Sequence, residues 1–468
     1  MSAVDARAEA LVAEVLTPEA TRSRYAISIR ERRAILAVAD FVMGGLGCLV
    51  AYAIVRPAVM HVIQLTDLAV YAFGWLVGLF IVNGYAFSIP ASRMQSAIAV
   101  IKAAPFALLA GVLAFFVEPY VMTRPLIVVS TVVGAALLIM MRTTIARLLL
   151  HESLAVRAVL IGRTEPNSLT VQTLKAAAIE CQIVARVIGP TDSDADRDRL
   201  VDAVRKLFSS QSADEVIVTS NDLRVVPGLV EECVTHGVRV VSATSLIERY
   251  MGIVPVDSID THWYLSLPDN DLWDRPYTLI RRLIDLVLSV VISIPFLIIL
   301  PLLALLIKLA SPGPVFHVQR RVGQHGVEFN LLKLRTMRVD AETDGAQFAS
   351  RRDPRITPIG RFLRATRLDE VPQLLNIARG EMSFIGPRPE RPEFIHRLEA
   401  EIPRFSARLL VKPGLTGWAQ VRSGYASTIP EMTRKLEYDL YYIKNRSFRL
   451  DLQILASTFV AVIGFGGR

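Results

Sequence analysis

Two adjacent carboxylates, Asp369 and Glu370, stand in the string RLDEVPQLLN, followed at once by a proline and an apolar run. Pro372 suits the first turn of a helix, so the pair is expected at a helix start. There, free backbone N–H groups and the positive end of the helix dipole favour negative charge, which helps keep Asp369 ionised and suits a phosphate bound beside it. An ionised, fixed carboxylate can attack phosphorus, form a phosphate ester and pass the group to a second acceptor. Such chemistry gathers like charges and needs fixed cations. Lys333, Arg335, Arg364, Arg367 and Arg388 are the candidates. Arg388 is held between Pro387 and Pro389, and its guanidinium fork matches phosphate oxygens. Arg364 stands five residues before Asp369, where a helical turn brings it back over the site. In isolation an Asp-Glu pair is a plain acidic helix cap and a single arginine a solvated surface residue. Their crowding between proline-fixed turns argues for a site.

Other chemistries lack support. The seven histidines show no metal-ligand spacing, and Cys48, Cys181 and Cys233 form no CxxC pair, so neither zinc nor a disulfide framework is indicated. There is no GxSxG elbow and no P-loop.

The elements that must position the acidic pair divide the chain into four parts. Of its 468 residues, 52% are hydrophobic and only 21% charged, too apolar for an average soluble protein, so part of the chain must sit in lipid. The net charge of +8 suits anionic partners without choosing among lipid headgroups, phosphates and nucleic acid. Residues 1–33 are polar and lack a signal-peptide core. Residues 34–150 hold four apolar stretches, Ala34 to Val55, Leu68 to Phe87, Ala103 to Val117 and Pro125 to Met141, read as a four-helix transmembrane bundle. Basic residues before the first stretch and after the fourth put both ends of the bundle in the cytoplasm. Residues 151–265 alternate short apolar runs with polar stretches long enough for helices, the pattern of a Rossmann-like parallel α/β domain. Its first turn, Gly162 to Pro166, is not GxGxxG, so a working dinucleotide site is not expected.

Residues 275–468 open with the apolar segment Leu283 to Ile307, interrupted by Pro295 and Pro301. Each proline removes a backbone donor, and Ser293 can bond a freed carbonyl, so a break at Ser293 and Pro295 is expected. Arg281 and Arg282 precede the segment; Lys308, Arg320 and Arg321 follow it. With both flanks basic, the helix is read as re-entrant, entering one leaflet and returning, ahead of a mainly helical catalytic domain. The fold class is that of an α/β membrane protein.

The ordered strings SPGPVFHVQRRVG, LLKLRTM, DPRITPIGRFLRATRLDEVPQLLNIARGEMSFIGPRPE and KPGLTGWAQV, behind a broken apolar helix, resemble the bacterial sugar transferase family of monotopic phosphoglycosyl transferases. With the bundle and the sheet domain included, the whole chain is similar to the large, undecaprenyl-phosphate hexose phosphotransferase form. The resemblance implies transfer of a hexose 1-phosphate from a UDP-sugar, UDP-glucose or UDP-galactose, to undecaprenyl phosphate with release of UMP. It implies Asp369 as nucleophile through an aspartyl phosphosugar, Glu370 beside it, and Mg²⁺ assisting at this pair. It also implies Arg364 as a phosphate-binding residue, beside which Lys333, Arg335 and Arg388 are expected from their charge to bind the substrate phosphates. Lys412, Pro413, Gly414 and Trp418 form a rigid turn at the border of the nucleotide sugar, where Trp418 either stacks on a base or fills the core. The expected setting is the bacterial inner membrane, multi-pass, with the site facing the cytoplasm, in a homodimer that starts an exopolysaccharide or capsule repeat and has no nucleic acid partner. Two other classes fare worse. A sugar-nucleotide oxidoreductase lacks the glycine turn, and a non-catalytic scaffold does not account for the acidic pair among its arginines.

Overall fold

A computed structural model describes residues 12–15, 29–55, 65–82, 84–85, 93–117, 123–149, 156–161, 169–177, 181–188, 201–202, 204–205, 213–219, 227–259, 261–268, 274–338, 354–424 and 428–463. The chain forms two compact units, Met1–Met251 and Gly252–Arg468.

In the first unit a short strand, β1 (Val12–Val15), precedes four apolar helices, α1 (Ile29–Val55), α2 (Leu65–Ile81), α3 (Arg93–Val117) and α4 (Arg124–Leu149). Tyr52, Tyr71, Trp75, Leu79, Val100, Leu126 and Leu138 fill the bundle's interior, while Val38, Val42, Ile54, Leu113 and Phe116 face outward. Apolar residues on both faces are what a lipid surround requires. Where α1 crosses α4, a Cβ on Gly47 would come within 2.5 Å of the Gly134 Cα, a contact only glycine permits. Asp40 of α1 accepts two bonds from the Arg142 guanidinium of α4, at 2.9 and 2.6 Å, and Arg142 also donates to the Gly84 carbonyl at 3.0 Å. One pair thus ties α1, α4 and the turn after α2, with both charges fully buried. Three of these helices are long and apolar enough to cross a membrane, over Ala34–Val55, Met94–Val117 and Arg124–Thr144, whereas α2 has 17 residues. The stretch read as Leu68 to Phe87 therefore starts earlier and ends sooner, as Asn83 and Gly84 follow. The third helix reaches back beyond Ala103 to Arg93 and carries Pro105 inside it.

The sheet of this unit has five strands in the order β1-β3-β2-β4-β5, comprising β2 (Val156–Ile161), β3 (Cys181–Ile188), β4 (Glu215–Val218) and β5 (Arg239–Ser242) beside β1. The helices α5 (Leu169–Ala177), α6 (Pro227–Thr235) and α7 (Ala243–Met251) lie between or after them. The four later strands are parallel, as expected. Not expected was β1, which adds antiparallel to β3 with Val12 opposite Ile188. The turn from Gly162 to Pro166 lies outside the described residues.

The second unit begins at Gly252, so Val254, Val256, Ile259 and Trp263, which the sequence reading put at the end of the sheet domain, join a core with Ile395, Phe405, Met432 and Leu440. After α8 (Thr261–Leu265) comes α9 (Asp274–Ala310), 37 residues assigned as helix without interruption. The expected break at Ser293 and Pro295 is therefore not an end of helical structure; the prolines leave missing donors inside a continuous helix. At 1.5 Å per residue a straight helix of this length would measure roughly 55 Å, far beyond a bilayer core of about 30 Å. One face is buried along its whole course, through Tyr277, Asp285, Ser289, Phe296, Leu303 and Ile307, while Leu297, Ile298, Leu302 and Leu309 are exposed. In its first half Arg281 donates to the Ser383 hydroxyl at 2.9 Å and to the Ile385 carbonyl, and Asp285 accepts from Ser383 and the Phe384 N–H, each at 3.1 Å. In its second half Phe296, Leu303 and Ile307 pack with Leu334 and Leu363. Both halves of α9 thus rest on one globular body.

That body comprises the hairpin β6 (Phe316–Val322) and β7 (Glu328–Leu334), α10 (Pro358–Thr366), a 3-10 turn (Leu368–Gln373) and α11 (Leu374–Arg379). Next come β8 (Ser383–Ile385), α12 (Pro392–Glu401), β9 (Gly414–Thr416) parallel to β8, α13 (Trp418–Arg422), α14 (Ile429–Lys444) and α15 (Phe448–Ile463).

Candidate active site

The acidic pair is presented by a sharp change of direction between two helices. Thr357 caps α10 by accepting the Gly360 N–H at 3.0 Å, with Pro358 at the first helical position. Gly360 rides against the preceding strand exit, where a Cβ would stand 2.0 Å from the Thr336 carbonyl oxygen. The helix ends at Arg367, which takes the left-handed conformation (φ 59°, ψ 14°) that few non-glycine residues adopt. The chain then enters the 3-10 turn carrying Asp369 and Glu370, 7% and 8% exposed. Pro372 has no N–H to return to the Leu368 carbonyl, so the α-helix starts only at Leu374. The pair therefore sits a turn ahead of the α-helix, not on its N-terminus as the sequence suggested.

Glu370 is surrounded by cations. Its Oε1 accepts from Arg388 Nη2 at 2.8 Å and stands 3.9 Å from Lys333 Nζ and 3.8 Å from Arg367 Nη1. Burial opposes its ionisation, but Arg388 and Lys333 more than offset that and hold its carboxyl at about 2. Asp369 differs from its neighbour. Its Oδ1 is buried and has no hydrogen-bond partner among the described residues. Burial first, and then the Glu370 charge, push its carboxyl up to about 6, against the pull of Lys333, Arg364 and Arg367. It is still mostly ionised at neutral pH, though burial rather than a helix dipole sets its environment. Lys333 comes from the end of β7; burial, then Arg388, bring its ammonium down to about 8 although Glu370 opposes the change. Arg364 Nε donates to Thr336 Oγ1 at 2.9 Å, within electrostatic reach of Asp369.

Arg388 stands on a strap, Pro387 to Glu390, whose four consecutive carbonyls are all engaged. The Gly414 N–H donates to Pro387 at 2.9 Å, Arg408 Nη2 to Arg388 at 3.0 Å, Arg321 Nη1 to Pro389 at 2.9 Å and the Val322 N–H to Glu390 at 3.0 Å. The strap cannot shift without breaking bonds to β6, to β9 and to the 3-10 turn Phe405–Leu410 that carries Arg408.

Of the residues singled out by sequence, Asp369, Glu370, Lys333, Arg364, Arg367 and Arg388 come together. Arg335 does not join them: its buried guanidinium donates to the carbonyls of Pro312 at 2.9 Å and Ser311 at 2.5 Å, clamping the chain as it leaves α9. Ser293 and Pro295 are on α9, Ser293 half-buried and Pro295 exposed, and no contact from either to the acidic pair is found among the described residues. Trp418 is a core residue; its indole N–H donates to the Gly252 carbonyl at 2.8 Å, its ring stacks on Tyr441 and Arg422 covers its face. That leaves no face for a base.

Sequence reasoning missed Asn376. Fully buried, it accepts the Leu332 N–H at 3.1 Å and donates to the Asn330 carbonyl at 2.8 Å and to Glu381 at 2.6 Å, pinning β7 to α11. An amide inside the apolar run LLNIA was the available signal, since such a group is buried only when it is bonded.

The fit of a divalent cation can be judged from the donors. Among the described residues no group of three or more His, Cys, Asp or Glu side chains converges. Mg²⁺ needs no such cage, because it keeps waters and binds through one or two carboxylates plus substrate phosphates. The unpartnered Asp369 oxygen suits that habit, whereas Glu370 is occupied by cations.

Residues 276–465 match the family model described as bacterial sugar transferase. Over 238 residues the chain is 40% identical to the UDP-N-acetylgalactosamine-undecaprenyl-phosphate N-acetylgalactosaminephosphotransferase of Aeromonas hydrophila, covering 50% of this chain and 55% of that protein. It is 41% identical over 212 residues to the UDP-glucose:undecaprenyl-phosphate glucose-1-phosphate transferase of Caulobacter vibrioides (45% and 79%) and 37% identical over 199 residues to the protein of that name in Escherichia coli (41% and 43%). The chain thus spans about half the length of several curated relatives it matches, and most of a shorter one. The acidic turn and the arginine strap lie within the residues that the family model matches, and the chain belongs to the bacterial sugar transferase family.

Proposed function

We propose that this protein transfers a hexose 1-phosphate from a UDP-hexose to undecaprenyl phosphate, releasing UMP, as the first step of exopolysaccharide or capsule repeat assembly. The observation that carries this reading is the Asp369 carboxylate, with one oxygen free, beside a Glu370 that is already neutralised by its own cations. One oxygen of Asp369 attacks the phosphorus that bears the sugar; an acyl phosphate forms and the bond to UMP breaks, UMP leaving with the electron pair. A phosphate oxygen of the lipid acceptor then attacks the same phosphorus, the bond to Asp369 breaks and the carboxylate is regenerated. Lys333, Arg364, Arg367 and Arg388 offset the charge that builds up as two phosphates and a carboxylate meet. Glu370 orients this set instead of competing with Asp369. Mg²⁺, when bound through Asp369 and the substrate phosphates, with Glu370 beside it, would supply further neutralisation of the diphosphate.

The setting we propose is the cytoplasmic face of the bacterial inner membrane, with α9 re-entrant. Its support is that both halves of α9 rest on the same globular unit, which a simple span with that unit on one side would not allow. The lipid tail then stays in the bilayer while its phosphate reaches a site open to soluble donors.

The test is purified protein in detergent with undecaprenyl phosphate, Mg²⁺ and, separately, UDP-glucose, UDP-galactose and UDP-N-acetylgalactosamine, following UMP and lipid product. Wild type should turn over at least one donor and form a hydroxylamine-labile sugar phosphate adduct; Asp369→Asn should do neither. An active Asp369→Asn variant would sink the covalent mechanism, and an inactive wild type would sink the transfer reading.

A further inference from the structure

The structure assigns Glu390 as a positioning residue for Arg388, acting through two arginines that hold the strap between them. Glu390 is the last residue of that strap, buried, and three cations converge on its carboxylate. Lys435 Nζ donates to Oε1 at 2.9 Å, Arg408 Nη1 is 3.6 Å from the same oxygen, and Arg321 Nη1 is 3.8 Å from Oε2. Arg408 and Arg321 are the side chains that donate to the carbonyls of Arg388 and Pro389. Arg408 is also paired with the buried Asp439 at 2.9 Å, and its guanidinium lies over the Phe405 ring. Glu390 therefore supplies the countercharge that holds the buried Arg408 and the partly buried Arg321 guanidinium groups behind the site, each with an N–H committed to strap backbone. Without it, Arg321, Arg408 and Lys435 would face one another across the space its carboxylate fills, with Asp439 held against Arg408. Burying unpaired like charges is costly, and the relief available is for the arginines to swing out towards water. That motion would release the Arg388 and Pro389 carbonyls and with them the direction of the Arg388 side chain. Lys435 and Asp439 lie on α14, so the brace reaches the site from a helix far along the chain from the acidic turn.

This inference rests on the proposed role of Arg388 at the phosphates, and its test separates the two. Glu390→Gln, Arg408→Lys, Arg388→Ala and the double variant Glu390→Gln/Arg388→Ala are compared with wild type in single-turnover formation of the sugar phosphate adduct. Thermal unfolding is followed in parallel. Glu390→Gln should lower kcat/KM by roughly 100-fold, as expected when a phosphate-binding group is misplaced by about 1 Å. Arg408→Lys keeps the charge and loses the bond to the Arg388 carbonyl, and should show the same loss even where it unfolds like wild type. On the Arg388→Ala background the Glu390 substitution should cost little more, because its effect passes through Arg388. Losses that multiply in the double variant, or a fully active Arg408→Lys, would overturn the positioning role while leaving the transfer reading intact. An inactive wild type would remove both.

Discussion

At the scale of single residues, the two adjacent carboxylates divide their work because they stand in opposite electrostatic surroundings. As the proposed nucleophile Asp369 must be ionised to attack, and burial has raised its carboxyl to about 6, so the rate of adduct formation should fall as pH drops through that value. Lys333 carries its charge only below about 8, so the rate should fall again above it. A bell-shaped kcat/KM profile for the first half-reaction, with limbs near those values, is the expected result; Lys333→Arg should move the alkaline limb out of range and leave the acid limb in place. A flat profile between pH 5 and 9 would contradict both assignments. The same shifts act on stability with opposite signs. Glu370, held at about 2, contributes stability that is present above its unfolded value of 4.5 and lost as pH falls towards 2. Asp369 binds its proton more tightly folded than unfolded, so ionising it works against the fold at neutral pH. The residue types at this site were readable in the sequence, but their pairing was not. Lys333 and Arg335 are two apart and would share one face of a strand, yet β7 ends at Leu334, and Arg335 turns away to the carbonyls after α9.

At the scale of elements, the site depends on how a hairpin, a short helix and a strap are fastened to one another. Asn376 is the fastening between β7, which carries Lys333, and α11, which follows the acidic turn. Asn376→Ala would leave the Leu332 N–H and Glu381 without their partner and is expected to cost about 3 kcal/mol, measurable as a lowered unfolding midpoint. Asn376→Asp should also destabilise, since it brings a second carboxylate to Glu381. A variant as stable as wild type would show that the hairpin is held by its apolar contacts alone. The apolar stretch of α9 was legible because a membrane-length run of apolar residues shows in composition. The 3-10 turn was not, because proline in a first turn is compatible with either helix, and the left-handed Arg367 that selects between them leaves no mark on composition.

At the scale of the whole molecule, each unit carries its own constraint on topology. In the first, β1 precedes α1 while β2 to β5 follow α4, and all five share one sheet; the chain must return to the side from which it started. In the second, the two flanks of α9 serve the same globular body. Single cysteines placed at Ser258 and Gln324, ahead of and behind α9, should therefore both resist a membrane-impermeant thiol reagent in intact cells and both react once the inner membrane is opened. Labelling of one from outside would replace the re-entrant reading with a simple span. The apolar stretches announced the bundle plainly. Strand β1 could not be foreseen, because VAEV is four residues long and its pairing is fixed by a partner far along the chain. That distance also sets an order of events during synthesis. At about 5–20 residues per second, Val12 leaves the ribosome on the order of ten seconds or more before Ile188, its partner across the sheet, and four apolar helices are made in between. The first strand made thus waits longest for its partner, and until the helices between them are placed and β3 lies beside it, the nascent chain carries an unpaired strand that a holding chaperone would find.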